Sequence, residues 1–325
     1  LWGAVGGLAA AVGPSLGSFV VDSFGWPWAF YLNLPLGALS LWYGALILPK
    51  DHQIRQIAKV DSIGMVLLIA AASCIALSIV QSHAPNWSGA ELWFVAASGG
   101  MAMLAFVVRA RISQHPLIDL KLFDDPTYTF VNLATLLFGI AFSMMFFGYF
   151  FFLTNIWDYS LTRAGLGITP GPLCVVPVAI ITGRLATRMG HRPFLVGGGL
   201  VHACSALWFL LVTDNEPAYL THWLPGVVLG GIGVGMVLPS LSAAAVNNLP
   251  PHQYAVGSAV NQAIRQIGSL IGVALIVLLV GHPDPSIHDF NKAYILQAVF
   301  AISTALLCIP VDTRPRQYNP KRSFP

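Results

Sequence analysis

Charge is scarce in this chain. Only 9% of its 325 residues are Asp, Glu, Lys or Arg, and 56% are hydrophobic, whereas soluble domains carry about 25% charged residues. Water therefore cannot be its main solvent, and the mean hydropathy of +0.72 says the same. Acids are missing from the interior of every long apolar run; Asp22 and Asp61 sit at run ends, where an outer-interface residue and a helix N-cap are the expected roles. Cysteine is also sparse. Cys74, Cys174, Cys204 and Cys308 each lie within an apolar run, with no CxxC and no adjacent histidine pair, so neither a disulfide framework nor a metal site is expected. Eight of the nine histidines fall in loops or near helix ends. His202 stands alone in its run and reads as a buried, hydrogen-bonded side chain, with a proton relay as the alternative. No nucleophile is paired with a base inside the runs, which argues against an intramembrane enzyme. No cofactor and no nucleic-acid partner are expected.

Crossing a hydrocarbon core of about 30 Å takes about 20 mostly apolar helical residues. Such runs recur ten times, near 1–21, 30–48, 62–81, 91–108, 127–153, 166–183, 194–212, 223–246, 256–281 and 293–310. They do not alternate apolar with polar residues, so a transmembrane β-barrel is excluded. The expected fold is all-α: a polytopic transmembrane helical bundle whose solvent is the lipid bilayer.

The formal charge of +3 is small, but its distribution is not even. With loops assigned to alternate sides, one side collects Lys50, Arg55, Lys59, Arg109, Arg111, Lys121, Arg184, Arg188, Arg192, Arg314, Arg316, Lys321 and Arg322, and the other only Arg163 and Lys292. That split of 13 against 2 predicts that the first side and the C-terminal tail face the cytoplasm. Trp26, Trp28, Trp87, Trp93, Trp157 and Trp223 then fall at the opposite, outer interface, where amphipathic rings settle. Leu1 opens directly into an apolar run without a basic flank, the pattern expected of a piece whose natural N-terminus lies upstream.

Several stretches carry more than topology. In the first run Gly3, Gly7, Gly13 and Gly17 form pairs four residues apart, a spacing that lets another backbone approach, while Pro14 removes a hydrogen bond and favours a bend. On the fifth run Phe138, Phe142, Met145, Tyr149 and Phe152 recur every three or four residues as one polarizable stripe, suited either to apolar ligands of varied shape or to ordinary packing and lipid contact. The eighth run, with Pro225, Gly226, Gly230, Gly231, Gly233, Gly235 and Pro239, should pack closely and flex. No strand precedes it, so its glycines are not a dinucleotide loop. Arg265 lies about ten residues into the ninth run, or roughly 15 Å at 1.5 Å per residue, near mid-membrane. Asn261, Gln262 and Gln266 accompany it, so the group reads either as a polar stripe toward a cavity or as an arginine that snorkels to headgroups.

These motifs carry a resemblance. Gly13-Pro14-Ser15-Leu16-Gly17-Ser18 resembles the antiporter motif on the fifth helix of proton-coupled drug exporters in the major facilitator superfamily. Trp26-Pro27-Trp28-Ala29-Phe30-Tyr31-Leu32-Asn33-Leu34-Pro35-Leu36-Gly37 is similar to the W-x-W-x-F-x-x-N-x-P-x-G signature of its fourteen-helix drug:proton antiporters, the EmrB/QacA type. His115-Pro116-Leu117-Ile118-Asp119-Leu120-Lys121-Leu122-Phe123 resembles that family's link into the C-terminal half. Asn248-Leu249-Pro250-Pro251, followed by Ser258-Ala259-Val260-Asn261-Gln262 and Arg265-Gln266-Ile267-Gly268, resembles its penultimate-helix signature. The turn Gly183-Arg184-Leu185-Ala186-Thr187-Arg188-Met189-Gly190-His191-Arg192 resembles the superfamily's G-x-x-x-D-R-x-G-R-R turn. Thr187 replaces its acid, and Ala9 and Ser18 replace two glycines of the antiporter motif.

The resemblance implies that 1–49 ends an N-terminal bundle, that 50–126 is a cytoplasmic loop plus two central helices, and that 127–325 is a six-helix C-terminal bundle with its tail. It implies alternating access, with a small amphipathic, hydrophobic or cationic solute exported from a bacterial inner membrane in exchange for protons. The expected cavity residues are Phe138, Phe142, Met145, Tyr149, Asn261, Gln262 and Arg265. With no acid inside these runs, the titrating carboxylate is expected in helices upstream. The rival readings are a major facilitator transporter of another small solute and a non-transporting membrane scaffold or receptor.

Overall fold

The computed structural model describes residues 2–47, 61–83, 86–113 and 116–313. Lys50, Arg55, Lys59, His115, Arg314, Arg316, Lys321 and Arg322 lie outside the described residues. Among the described residues twelve α-helices follow in chain order: α1 (Trp2–Phe24), α2 (Trp26–Tyr31), α3 (Asn33–Ile47), α4 (Ser62–Val80), α5 (Gly89–Ile112), α6 (Pro126–Asn155), α7 (Leu161–Ile168), α8 (Pro170–Met189), α9 (Arg192–Val212), α10 (Leu224–Val246), α11 (Tyr254–Val280) and α12 (Ile287–Leu307). Among the described residues there is no strand, and nine helical segments are long and apolar enough to cross a membrane. The first of the ten runs is the unbroken 23-residue helix α1, which passes through Pro14.

Helix starts follow short-range chemistry. Asp61 caps α4 by accepting from the Gly64 N–H, Asp125 caps α6 by accepting from the Tyr128 N–H ahead of Pro126, and Ser160 caps α7. Ser88 with Glu91 and Ser286 with Asp289 form capping boxes on α5 and α12. The last box explains why α12 begins at Ile287 rather than near 293. Its first two turns carry His288, Asp289, Asn291 and Lys292, a helical segment that hydropathy cannot distinguish from a loop. The Gly64 N–H and then the Arg109 guanidinium, 2.7 Å away, hold the Asp61 carboxyl below the usual carboxylate range and clasp α4 to α5.

α6 packs against α10, α11 and α12; α9 against α10 and α12; α8 against α10; and the α4–α5 hairpin against α11. Lipid tails are as apolar as leucine, so burying apolar area gives little drive for association, and close backbone approach must hold the helices together. Glycines supply it. A Cβ at Gly268 would meet the Leu136 carbonyl, one at Gly272 the Ile140 carbonyl, and one at Gly231 the Gly171 carbonyl. The other contact side of the chain is sparse by comparison: α2 and α3 bury no residue.

Two tryptophans differ from expectation. Trp26, Trp28 and Trp93 are exposed, as an interfacial belt requires, but Trp157 and Trp223 are buried. They pack with Phe152, Phe209, Phe290 and Tyr294, and ring centroids such as Phe152–Trp223 at 5.3 Å and Phe209–Trp223 at 4.8 Å make one aromatic cluster. Six converging rings bury one another's apolar faces, while the Trp157 indole N–H donates to the Asp214 carbonyl.

Candidate functional site

A cavity of about 470 Å³ lies between α6, α8, α10 and α11. α6 contributes Phe142, Met145, Phe146 and Tyr149, α8 contributes Gly171, Pro172 and Val175, α10 contributes Val227, Gly231 and Val234, and α11 contributes Arg265. Its size and its mostly apolar wall with few polar groups are those of a small-molecule site.

The polarizable stripe divides. Phe142, Met145 and Tyr149 face the cavity, while Phe138 and Phe152 are fully buried away from it, Phe138 against Phe142 and His202 and Phe152 within the aromatic cluster. Spacing places five residues on one helical face, but a face wider than the cavity wall serves two neighbours. The Tyr149 hydroxyl is 2.9 Å from Ser205 Oγ, and Ser205 donates to the Gly226 carbonyl at 2.7 Å, so the tyrosine is held with its ring side toward the space.

The polar group on α11 divides as well. Arg265 lines the cavity and donates from Nη2 to Gln262 Oε1 at 2.7 Å, while Gln262 itself is exposed and off the cavity wall. Asn261 is instead 4% exposed and does not line it. Its amide donates to Asn132 Oδ1 at 3.0 Å and to Thr135 Oγ1 at 2.9 Å across the α6–α11 contact. Residues one turn apart point to faces that differ by about 40°, enough to separate a helix seam from a cavity wall.

Gly13 and Gly17 of α1 meet nothing within 4 Å at their Cβ positions. The close approach on this helix comes from the partner: a Cβ on Gly165 of α7 would collide with Ser18 and the Pro14 carbonyl, and Asp22 Oδ2 accepts from Thr162 Oγ1 at 2.8 Å. The basic turn is mostly helix. Gly183, Arg184 and Arg188 lie within α8, Gly190 ends it at φ +77°, and Arg192 opens α9. Gly190 needs glycine there because a side chain would strain that backbone. Arg184, Arg188 and Arg192 are exposed, and none forms an ion pair with the described carboxylates.

His202 is fully buried, as expected, and its ring lies beside the Gly230 and Ala141 carbonyls, although neither nitrogen makes a well-aligned hydrogen bond among the described residues. Phe146 and Val175 line the cavity and escaped the sequence reading. Phe146 stands four residues after Phe142, so helical spacing could have found it; Val175 carries no local signal.

Known proteins share this chain's pattern. Residues 1–273 and 131–324 match the Major Facilitator Superfamily. An uncharacterized MFS-type transporter, YcnB, of Bacillus subtilis (strain 168) is 25% identical over 98% of the chain and 70% of its own length. A multidrug resistance protein B homolog of Mycobacterium tuberculosis (strain ATCC 25618 / H37Rv) is 27% identical over 96% of the chain and 66% of its length. The multidrug transporter protein MdtP of Bacillus subtilis (strain 168) is 28% identical over 85% of the chain and 51% of its length. The chain thus spans between 51% and 70% of these relatives.

Proposed function

The chain belongs to the Major Facilitator Superfamily, and from that premise we propose that it exports small amphipathic or drug-like compounds by alternating access, with protons as the coupling ion. It is an integral membrane transporter rather than an enzyme. The observation that carries the finer reading is the cavity, where Phe142, Met145 and Tyr149 offer an adaptable apolar wall beside one arginine. The order of the motifs from Gly13-Pro14 to Arg265-Gln266-Ile267-Gly268 supports the fourteen-helix drug:proton antiporter type, and two of the relatives carry multidrug names. On this reading α1 to α3 close an N-terminal bundle, α4 and α5 are the central pair, and α6 to α12 form the C-terminal bundle.

The test is selectivity. Phe142→Ala or Met145→Ala in the full-length protein should shift relative resistance among compounds by several-fold while abundance changes little, because each removes wall contacts that different solutes use differently. Equal loss for every compound, in step with lost protein, would return these residues to packing.

Orientation in a bacterial inner membrane has its own check. Single cysteines introduced at Asn86 and Asn215, both exposed, should react with an impermeant thiol reagent from outside, and one at Asn319, outside the described residues, should not. The opposite labelling pattern would invert the topology.

A further inference from the structure

We infer that the cavity selects amphipathic anions over amphipathic cations, with Arg265 as the residue that holds the anionic head. This rests on the transporter reading above and names the substrate class of the same cavity. Three observations support it. Among the described residues Arg265 is the one charged side chain on the cavity wall. No described carboxylate lines the cavity; Asp61 pairs with Arg109 at 2.7 Å, Asp289 with Lys292 at 2.9 Å, and Asp22 accepts from Thr162, each at a helix end. The other polar groups on the wall are already engaged, the Tyr149 hydroxyl with Ser205 and the Ser242 hydroxyl as donor to the Leu238 carbonyl.

A guanidinium has five N–H donors, and Gln262 takes one of them through Nη2. The remaining donors form a planar fork that fits a carboxylate, sulfonate or phosphate in two parallel hydrogen bonds. The apolar wall weakens screening around that cation, so a guest of opposite charge gains there and a guest of like charge loses. A cationic drug would have to bring its body against Phe142 and Met145 with its charge near Arg265, and it would find no described carboxylate to offset the repulsion. The anion's tail meets aromatic and thioether surface that adapts to shape, so the head group rather than the tail sets the preference.

Pyrenebutyrate and pyrenebutyltrimethylammonium carry one apolar body with opposite heads, which isolates the charge. Binding to the full-length protein in liposomes without any gradient should favour the anion by about tenfold or more in Kd. Arg265→Gln should bring the two probes to near-equal affinity, and Arg265→Lys should keep the sign of the preference but reduce its size as the fork is lost. A wild-type protein that prefers the cation or shows no preference overturns the inference, as does a preference that Arg265→Gln retains. These binding results stand apart from the transporter reading, which fails instead if an imposed proton gradient moves neither probe nor any other amphipath. Should Arg265→Gln not assemble, the wild-type preference alone decides.

Discussion

Arg265→Ala is expected to abolish solute flux while leaving the protein expressed and assembled. The expectation follows from depth and company. Arg265 is eleven residues into α11, counting from Tyr254 to Arg265, which at 1.5 Å per residue places it roughly 16 Å from the start of that helix. An arginine at such a depth costs about 2.5–3.5 kcal/mol on insertion scales, and a chain retains that cost where the charge does work. The side chain borders the cavity and is hydrogen-bonded to Gln262 on its own helix, so alanine removes no hydrogen bond or ion pair between helices among the described residues. Folding should therefore survive while binding of the solute head does not. Arg265→Lys keeps the charge, loses the two-pronged geometry and should recover part of the flux. The measurement is solute movement in vesicles under an imposed proton gradient, beside quantified protein in the same membranes. Full activity in the alanine variant would leave Arg265 as a snorkelling side chain with its head among lipid phosphates.

Gly268→Leu should act in the opposite way, removing assembled protein rather than activity per molecule. A Cβ at Gly268 would overlap the Leu136 carbonyl and sit 3.3 Å from the Cα of Gly139, and a Cβ on Gly139 would stand 2.8 Å from the Arg265 carbonyl. Neither neighbour is a flexible side-chain tip that can swing aside, so α6 and α11 would have to separate. Overpacking costs typically about 1–3 kcal/mol even where side chains can adjust, and here the strain falls on backbone. Separation would also pull Asn261 from Asn132 and Thr135, exposing buried polar groups to an apolar surrounding. The expected loss is therefore at least about 3 kcal/mol, read as a large fall in detergent-stable protein and in its thermal midpoint. Gly183→Leu is the matched control, because nothing lies within 4 Å of its Cβ position, and it should change stability by less than about 0.5 kcal/mol. Equal behaviour of the two variants would show that the α6–α11 contact tolerates a wider spacing than the structure has.

Much of the helical scaffold is legible along the chain, since hydropathy runs report solvent and little else is needed to place a helix in lipid. The runs read at 62–81, 127–153 and 194–212 end within a few residues of α4, α6 and α9. Boundaries slip where a helix leaves the hydrocarbon. α8 continues through Arg184 and Arg188 to its cap Gly190, and α12 starts at Ile287, ahead of the apolar run read from 293, so that it takes in His288, Asp289, Asn291 and Lys292. Polar residues there satisfy the backbone as helix in the same way that apolar ones do deeper in.

Side-chain destinations are less legible. Phe138 and Phe142 share a spacing and a chemistry, yet one is sealed against His202 and the other opens on the cavity. Asn261 and Arg265 are one turn apart, and a helix-to-helix contact claims the first while the cavity keeps the second. His202 is isolated in sequence, and only its surroundings show which backbone carbonyls, those of Gly230 and Ala141, lie beside its ring.

By itself, then, the sequence determined that this chain lives in a membrane, that it is built of long helices, and which of its motifs resemble drug exporters, because each of these depends on local composition or order. Tertiary structure alone decided that Phe142, Met145, Tyr149 and Arg265 share one space while Asn261 and Phe138 do not, and that the close approach at α1 rests on Gly165 rather than on Gly13 or Gly17. The physical reason is that helix periodicity fixes which residues share a face but not what that face meets. In lipid, where apolar burial scarcely discriminates between neighbours, that choice falls to close glycine contacts and buried polar pairs between helices far apart in the chain.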